Sequence, residues 1–220
     1  MPVFKQIKNQ HLLWRAGFGP SANDTIYNGV QQPQELYSIL EKQSSQKPVY
    51  LDVADNMIKG LLMGVKNEAE ITENGIGGVK KNLSDKQKKA LRRQSVEDLK
   101  NLNIAWLSEM INSKAQLREK MSFFWHGHFA CRTINIYYQQ LMLHEIRSKS
   151  LEKSGDLLRA VRKSASMLSF LNNQQNRKQH PNENFAREVM ELFTLGRGNY
   201  SEIDIKEAAR SFTGWGYSLS

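Results

Sequence analysis

The chain has 220 residues, 40% of them hydrophobic and 9% aromatic, a length and composition typical of a folded globular protein rather than a disordered one. Its 31 Lys and Arg against 22 Asp and Glu give a net charge of +9, which suits anionic partners. Much of the excess lies in residues 80–93, however, and such a run is more often a solvated helix face or a mobile segment. Cys131 is the single cysteine, so an internal disulfide and a cysteine-based zinc cluster are excluded, and we expect a packed, inert thiol.

No stretch of the sequence approaches the roughly 20 consecutive apolar residues that a membrane-spanning helix needs. Residues 1–19 contain lysines but no apolar segment after them, so we expect no secretory signal peptide here. The sequence therefore fits either a cytoplasmic chain or one that lacks its export signal, and the compartment stays open.

The first third of the chain has few helical patterns and several breaks. Residues 11–19 end in a Gly-Phe-Gly-Pro turn, after which Ser21 is expected to cap a short helix that stops at Gly29. Pro33 suits the first position of a second helix. The glycines within residues 66–83 lack the spacing of a phosphate-binding loop, so we expect a flexible surface loop there.

In the middle of the chain, apolar residues recur at intervals of three and four, which predicts three amphipathic helices. Ser84 and Asp85 are expected to begin the first, and Ser113 with Gln116 forms a capping-box pattern at the start of the second. The residues expected to face the core are Val96, Leu99, Asn103, Trp106 and Met110 on the first helix, Leu117, Met121, Phe124 and His128 on the second, and Ile134, Tyr137, Tyr138 and Leu141 on the third.

The last third of the chain gives clear helix boundaries. Asp156 is expected to cap one helix. Residues 180–196 predict another, with Asn182 or Asn184 near its start and Gly196 at its C-terminal end. The residues expected to be buried are Leu157, Leu158, Val161, Leu168 and Leu171 on the earlier helix, and Phe185, Val189, Leu192 and Phe193 on the later one.

Ser201 is expected to cap a final helix that closes at Gly214. The sequence shows no alternation typical of β-strands and no repeat of fixed period. It therefore predicts an all-α fold, an irregular multi-helix bundle that forms a single domain over residues 1–220.

His126 and His128 are the first candidates for catalysis or metal binding. In an extended segment both side chains would point the same way and could share a metal ion. On a helix they diverge by about 200°, which favours structural roles, one histidine in the core and one at the surface. Gly127 could end the helix between them and restore convergence. No His-Glu-x-x-His motif supports the metal site.

A second candidate group follows His180. Glu188 and Glu191 lie on one side of a predicted helix and could act as acid and base or bind a cation. Arg187 is four residues from both Glu183 and Glu191, so an ordinary charged face with ion pairs is the alternative. A catalytic role requires this face to lie buried against the segment that contains His126.

Arg15 and Arg187 are the candidates for binding an anion or for acting as structural clamps. Arg15 shares a helical face with His11 near the N-terminus, where a surface or clamp role is favoured. The Gly-x-Ser-x-Gly pattern of a serine nucleophile is absent.

Three segments of the sequence resemble the signature blocks of the bacterial domain of unknown function 1800. They are HLLWRAGFGP at residues 11–20, REKMSFFWHGHF at residues 118–129 and the long third segment, PNENFAREVMELFTLGRGNYSEIDIKEAARSFTGW, at residues 181–215. We call these three segments the signature blocks. Their order and the length of the third make the resemblance specific. The polar candidates that fall inside them are His126, His128, Asn182, Glu183, Asn184, Arg187, Glu188 and Glu191.

The resemblance implies a mostly helical bacterial protein and brings no established reaction or cofactor. The family domain normally continues beyond the Thr-Gly-Trp matched at residues 213–215, so the chain is expected to be the N-terminal portion of a longer domain of this type. Family members are often exported, which leaves the compartment of this chain in doubt. They are often encoded beside a sulfatase-like protein, which the resemblance implies as a partner.

Three functions are compatible with these features. The first is a metal- or carboxylate-dependent hydrolase that uses His126 or His128 with Glu188 and Glu191. The second is a non-catalytic helical scaffold or partner-binding protein, which predicts polar residues engaged in ion pairs and caps and an exposed apolar patch. The third and least favoured is nucleic-acid binding through basic residues 80–93, a run without the interleaved aromatic residues that stack on bases.

Overall fold

The computed structural model describes residues 2–20, 32–55, 84–133 and 135–216, and those residues form an all-α fold. The short helix expected after Ser21, the loop expected at residues 66–83 and the core position expected at Ile134 lie outside the described residues. The described part contains nine α-helices and no β-strand beyond one isolated bridge between Arg177 and His180. The predicted fold class, an irregular multi-helix bundle, is confirmed.

Seven of the nine helices follow one another closely from Asp85 onwards. The nine are α1 (Pro2–Ala16), α2 (Pro33–Ser44), α3 (Asp85–Asn112), α4 (Gln116–His128), α5 (Ile136–Lys149), α6 (Ser154–Lys163), α7 (Ala165–Phe170), α8 (Glu183–Glu191) and α9 (Glu202–Ser211). A short 3₁₀ helix, Asn173–Gln175, lies between α7 and α8. Within this part of the chain, no helix combines the length and apolar character needed to cross a lipid bilayer.

Helix α5 is the centre of the bundle, because it packs against α3, α4, α6 and α7. It buries two adjoining faces. Met142 and Ile146 join an apolar cluster with α6, α7 and α8, whereas Ile136 and Leu143 join a second cluster with α3. Two smaller clusters hold α1 against α2 and α8 against α9. Removing apolar surface from water on both faces of α5 supplies the main driving force for this packing.

The helix starts predicted near the C-terminus are confirmed, but the helix ends differ. Helix α8 ends at Glu191, five residues before the expected Gly196, and α9 ends at Ser211, three residues before the expected Gly214. The side chain of Asn182 accepts a hydrogen bond from the backbone of Asn184 at 3.0 Å, and α8 is followed by Gly196 at φ 78°. Ser201 and Asp204 form a reciprocal capping box at the start of α9. These features are local, because each cap satisfies backbone groups within one turn of the helix.

Other boundaries differ from the predictions. Ala115, not Ser113, is the N-cap of α4, and Ser113 Oγ accepts a hydrogen bond from the Ala115 backbone instead. The helix expected to start at Asp156 is two helices, because Ser164 ends α6 in an extended conformation and its side chain caps α7. A serine that can cap a following helix offers the chain a place to turn.

Two of the predicted core faces are rotated in the structure. On α3, Trp106 and Met110 are buried as expected, but Val96 is 45% exposed. On α5, Leu141 is 38% exposed and a different side faces the core. The buried residues on these two helices are Ser95, Asp98, Leu102, Trp106 and Met110 on α3, and Ile136, Gln140, Met142, Leu143, Ile146 and Arg147 on α5. Leu192, expected to be buried after α8, is also exposed.

Candidate functional site

Helix α4, which carries the second signature block, buries a polar face. Its buried residues are Arg118, Glu119 and Ser122, whereas Phe124 is 58% exposed and His128 is exposed. The predicted inward face of Leu117, Met121, Phe124 and His128 was therefore wrong in register. Burying charged side chains costs free energy unless they are paired and hydrogen-bonded, so their partners decide what this face does.

The carboxylate of Glu119 is fully engaged. Its Oε1 accepts from Nη2 of Arg147 at 2.8 Å, and Nε of the same arginine lies 3.1 and 3.0 Å from the two oxygens. Its Oε2 also accepts from the indole Nε1 of Trp106 at 2.9 Å. Glu119 and Arg147 are each 1% exposed. A buried carboxylate with these donors is held in one orientation by two neighbouring side chains.

Arg147 is satisfied on its remaining side as well. Its Nη1 donates to the carbonyl of Val49 at 2.6 Å, and its Nη2 donates to Glu109 at 3.1 Å. One guanidinium therefore joins α5, α4, the end of α3 and the segment after α2. We call Glu119, Arg147, Trp106 and Glu109 the buried clamp.

Arg118 holds the ends of two helices. Its Nε donates at 3.0 Å, and its Nη2 also donates, to the carbonyl of Ser44, the last residue of α2. Its Nη1 lies 3.4 Å from the carbonyl of Arg147, near the end of α5. Because helix C-termini carry partial negative charge and unpaired carbonyls, a buried cation is stabilised there. Desolvation by burial lowers the pKa of Arg118 below its ordinary value.

The two histidines of the second block have different surroundings. Helix α4 continues through Gly127 to His128, so the glycine does not bring them together. The ring of His126 lies 5.0 Å from Trp106, and burial lowers its pKa below the ordinary value. His128 is exposed and stacks on aromatic rings, with Phe193 at 5.8 Å between ring centroids. Within the described residues, no group of three or more His, Cys, Asp or Glu is arranged to hold a metal ion.

The contact of His128 with Phe193 brings two signature blocks together. Phe193 follows α8, which carries the candidate carboxylates. Neither histidine is hydrogen-bonded to Glu188 or Glu191 in the described structure. The blocks therefore adjoin through aromatic rings.

The charged residues of the third block mostly pair with one another. Arg187 donates to Glu202 at 2.9 and 2.7 Å and lies 3.4 Å from Glu183. These hydrogen bonds raise the pKa of Arg187 and lower that of Glu202. All three side chains are at least one-third exposed, so the ion pairs are screened by solvent.

Glu191 and Glu188 differ in their partners. Glu191 accepts from the hydroxyl of Tyr200 at 2.7 Å and from Arg197, and these two hydrogen bonds lower its pKa. The carboxylate of Glu188 has no hydrogen-bond or ion-pair partner among the described residues. Arg15, the other clamp candidate, is exposed on the last turn of α1. Glu191 and Arg187 therefore form surface ion pairs on and near α8 and α9, whereas Arg15 lies on α1 and has no part in these pairs.

Sequence reasoning missed the cleft beside the buried clamp. It has a volume of about 740 Å³ and lies between α2, α4 and α5, with Arg118, His144 and Ser148 in its wall. Nε2 of His144 lies 3.5 Å from Oγ of Ser148, while its Nδ1 is buried without a hydrogen-bond partner. A serine–histidine pair needs a third group that orients the imidazole, and this pair has none.

The clamp residues were also missed, because nothing in the local pattern separates Arg147 from an ordinary helix charge. The one available signal was its position four residues after Leu143, on an apolar side of the helix, where a charged residue must find a partner if it is buried. The partner, Glu119, lies 28 residues away along the chain. Sequence spacing on one helix cannot reveal such a pair.

Comparison with known proteins identifies a family and no closer relative. The family model described as "Protein of unknown function (DUF1800)" matches residues 11–219, nearly the whole chain. No curated protein matches the chain, and no solved structure does. The match covers all three signature blocks, including the two that meet at His128 and Phe193. The chain therefore belongs to the DUF1800 family of proteins of unknown function.

Proposed function

We propose that this protein is a non-catalytic helical scaffold that binds a partner protein. The observation that carries the proposal is the engagement of polar residues of the signature blocks in hydrogen bonds and ion pairs within the fold. Glu119 is saturated by Arg147 and Trp106, and Glu191 by Tyr200 and Arg197. A carboxylate whose oxygens already accept two or three hydrogen bonds is a poor general base, because those donors stabilise its charged form.

An exposed apolar surface supports the same proposal. Ile104, Leu107 and Ile111 of α3 are 66%, 55% and 64% exposed. Their spacing of three and four residues places them on one side of the helix. A scaffold needs a surface whose burial against a partner lowers the free energy, and an apolar helix face is such a surface. The sulfatase-like partner and the longer domain implied by the family resemblance stay predictions.

Metal analysis of the purified protein tests this proposal against an enzyme that depends on a metal. A scaffold is expected to hold no stoichiometric transition metal and to keep its melting temperature when a chelator is added. One equivalent of metal per chain that is lost in the variant His128→Ala would contradict the proposal. The variant His11→Ala, an exposed histidine on α1, is the matched control.

A hydrolase that uses His126 or His128 with Glu188 and Glu191 is the second candidate function. Two observations favour it: the contact of His128 with Phe193, and the carboxylate of Glu188, which has no partner among the described residues. This candidate predicts that Glu188→Gln abolishes hydrolysis of a chromogenic ester or phosphodiester while the free energy of unfolding is unchanged. Equal rates for Glu188→Gln and the unaltered protein would remove it.

A further inference from the structure

Helix α3 is apolar on two sides. One side carries Leu102, Trp106 and Met110, which are 5–7% exposed and pack into the bundle. The other side carries the exposed residues Ile104, Leu107 and Ile111; we call this side the outer face of α3. At about 100° per residue, the outer residues are centred about 130° around the helix from Trp106, the middle of the buried side, so the two sides face different directions. The buried side packs into the bundle, whereas the outer face is exposed among the described residues.

The outer face has the shape of a helix-binding ridge. Val96 extends it towards the N-terminus and is 45% exposed, with the exposed Lys100, which pairs with Glu97, between Val96 and Ile104. From Val96 to Ile111 the ridge is about 22 Å long, at 1.5 Å per residue, which matches four turns of a partner helix. Apolar residues at helical spacing are the anchors that amphipathic helices use when they pack side by side.

Charge divides the outer face into two halves. Lys89 and Arg93 are exposed on the N-terminal half of α3. Lys89 precedes Leu107 by eighteen residues and therefore lies at nearly the same angle around the helix, and Arg93 lies within about 40° of it. Neither has an ion-pair partner among the described residues. The outer face is thus basic towards its N-terminal end and apolar towards its C-terminal end.

We infer that the outer face of α3 binds an amphipathic helix of a partner protein, with acidic residues of that helix against Lys89 and Arg93. The inference rests on the proposed scaffold function and names the chemistry of the partner. A second copy of this chain fits poorly, because its net charge of +9 would place like charges together. A membrane surface is disfavoured, because interfacial helices carry basic residues along their whole polar side, not at one end.

Two synthetic peptides of 18 residues test this inference by fluorescence anisotropy. Both carry the same stripe of leucine on an alanine background; one has glutamates at one end, and the other has lysines at the same positions. We expect the glutamate peptide to bind about tenfold more tightly, because only its charges complement Lys89 and Arg93. The double substitution Lys89→Glu with Arg93→Glu should reverse that preference.

The variant Leu107→Glu locates the binding surface. It should weaken binding of the glutamate peptide about tenfold, because it places a charge at the centre of the ridge. Ile203→Glu on α9 is the matched control, since Ile203 is 71% exposed and lies away from α3. Both positions are exposed, so circular dichroism should show unchanged helix content in both variants.

Several results would overturn the inference. They are equal affinity for the two peptides, binding that is unaffected by Leu107→Glu, self-association that Leu107→Glu abolishes, and binding to phosphatidylserine vesicles in preference to both peptides. If the purified protein is also free of metal, these results overturn the partner chemistry and leave the scaffold function standing. A metal ion lost in His128→Ala would instead overturn the scaffold function itself.

Discussion

Nη2 of Arg147 lies 2.8 Å from Oε1 of Glu119, and the two side chains, from adjacent helices, are each 1% exposed. This buried pair, together with Trp106 and Glu109, fixes how α3, α4 and α5 meet. Removing one partner of a buried ion pair leaves an uncompensated buried charge, which lowers the free energy of unfolding.

The first prediction concerns Glu119. The substitution Glu119→Ala leaves Arg147 without its main counter-charge and Trp106 without its acceptor, and we expect a loss of about 3–5 kcal/mol in the free energy of unfolding. Urea denaturation followed by circular dichroism measures it. Glu97→Ala breaks the exposed pair with Lys100 and serves as the control, with an expected loss below about 1 kcal/mol. Equal losses in the two variants would show that the buried clamp stabilises the fold no more than an exposed ion pair does.

The second prediction concerns the arginine that caps two helices. Arg118→Met should destabilise the protein by about 2–4 kcal/mol, because the carbonyls of Ser44 and Arg147 lose their donor while remaining buried. Arg118→Lys should restore less than half of that loss, because one ammonium group cannot reproduce the fork of donors that reaches both helix ends. Full recovery in Arg118→Lys, measured by urea denaturation, would contradict the capping role.

The third prediction is a dependence of stability on pH. Burial lowers the pKa of His126, so the unfolded chain binds a proton more readily than the folded one. The free energy of unfolding should therefore fall as the pH drops below about 6.5, the unfolded-state pKa, and stop falling below the lower folded-state pKa. His144 contributes in the same direction, because burial lowers its pKa as well.

The variant His126→Gln isolates the contribution of that residue. It should show a shallower decline in the free energy of unfolding between about pH 7 and pH 5, with the remaining slope due in part to His144. Urea denaturation at several pH values provides the comparison. An unchanged slope in His126→Gln would mean that the ring is protonated as easily in the folded state as in the unfolded state.

The fourth prediction concerns the single thiol. Burial raises the pKa of Cys131 to about 11, and its Sγ lies 3.2 Å from the sulfur of Met142. Since the thiolate is the reactive form, iodoacetamide at pH 8 should modify the native protein about 100-fold more slowly than the urea-unfolded chain. Mass spectrometry of timed samples measures both rates. Equal rates would show that the thiol is not protected.

The helix starts near the C-terminal end were predictable from sequence because their causes are local. Asn182 and Ser201 each cap the first turn of their own helix, and the backbone N–H of Gly196 donates to the carbonyl of Met190 in the last turn of α8. A side-chain cap or a left-handed glycine leaves its signature in adjacent residues. The all-α class followed for the same reason, since apolar spacing reports a helix without reference to its neighbours.

The orientation of α4 was not predictable in the same way. Leu117, Met121 and Phe124 have the spacing of an inward face, but the bundle buries Arg118 and Glu119 instead. Apolar spacing assumes that charges prefer water, and it fails where a distant partner such as Arg147 compensates a buried charge. For the same reason, His126 lies on the more buried side of α4 and His128, which was expected to face the core, is exposed.

A double-mutant cycle on Arg147 and Glu119 tests most directly whether the polar signature residues hold the helices together. Urea denaturation gives the free energies of unfolding for Arg147→Met, Glu119→Gln and the double variant. If the buried clamp joins α4 to α5, the double variant should be more stable than the sum of the single losses predicts, with a coupling of about 2–3 kcal/mol. Additive losses, with no coupling beyond the error of the measurement, would contradict the account.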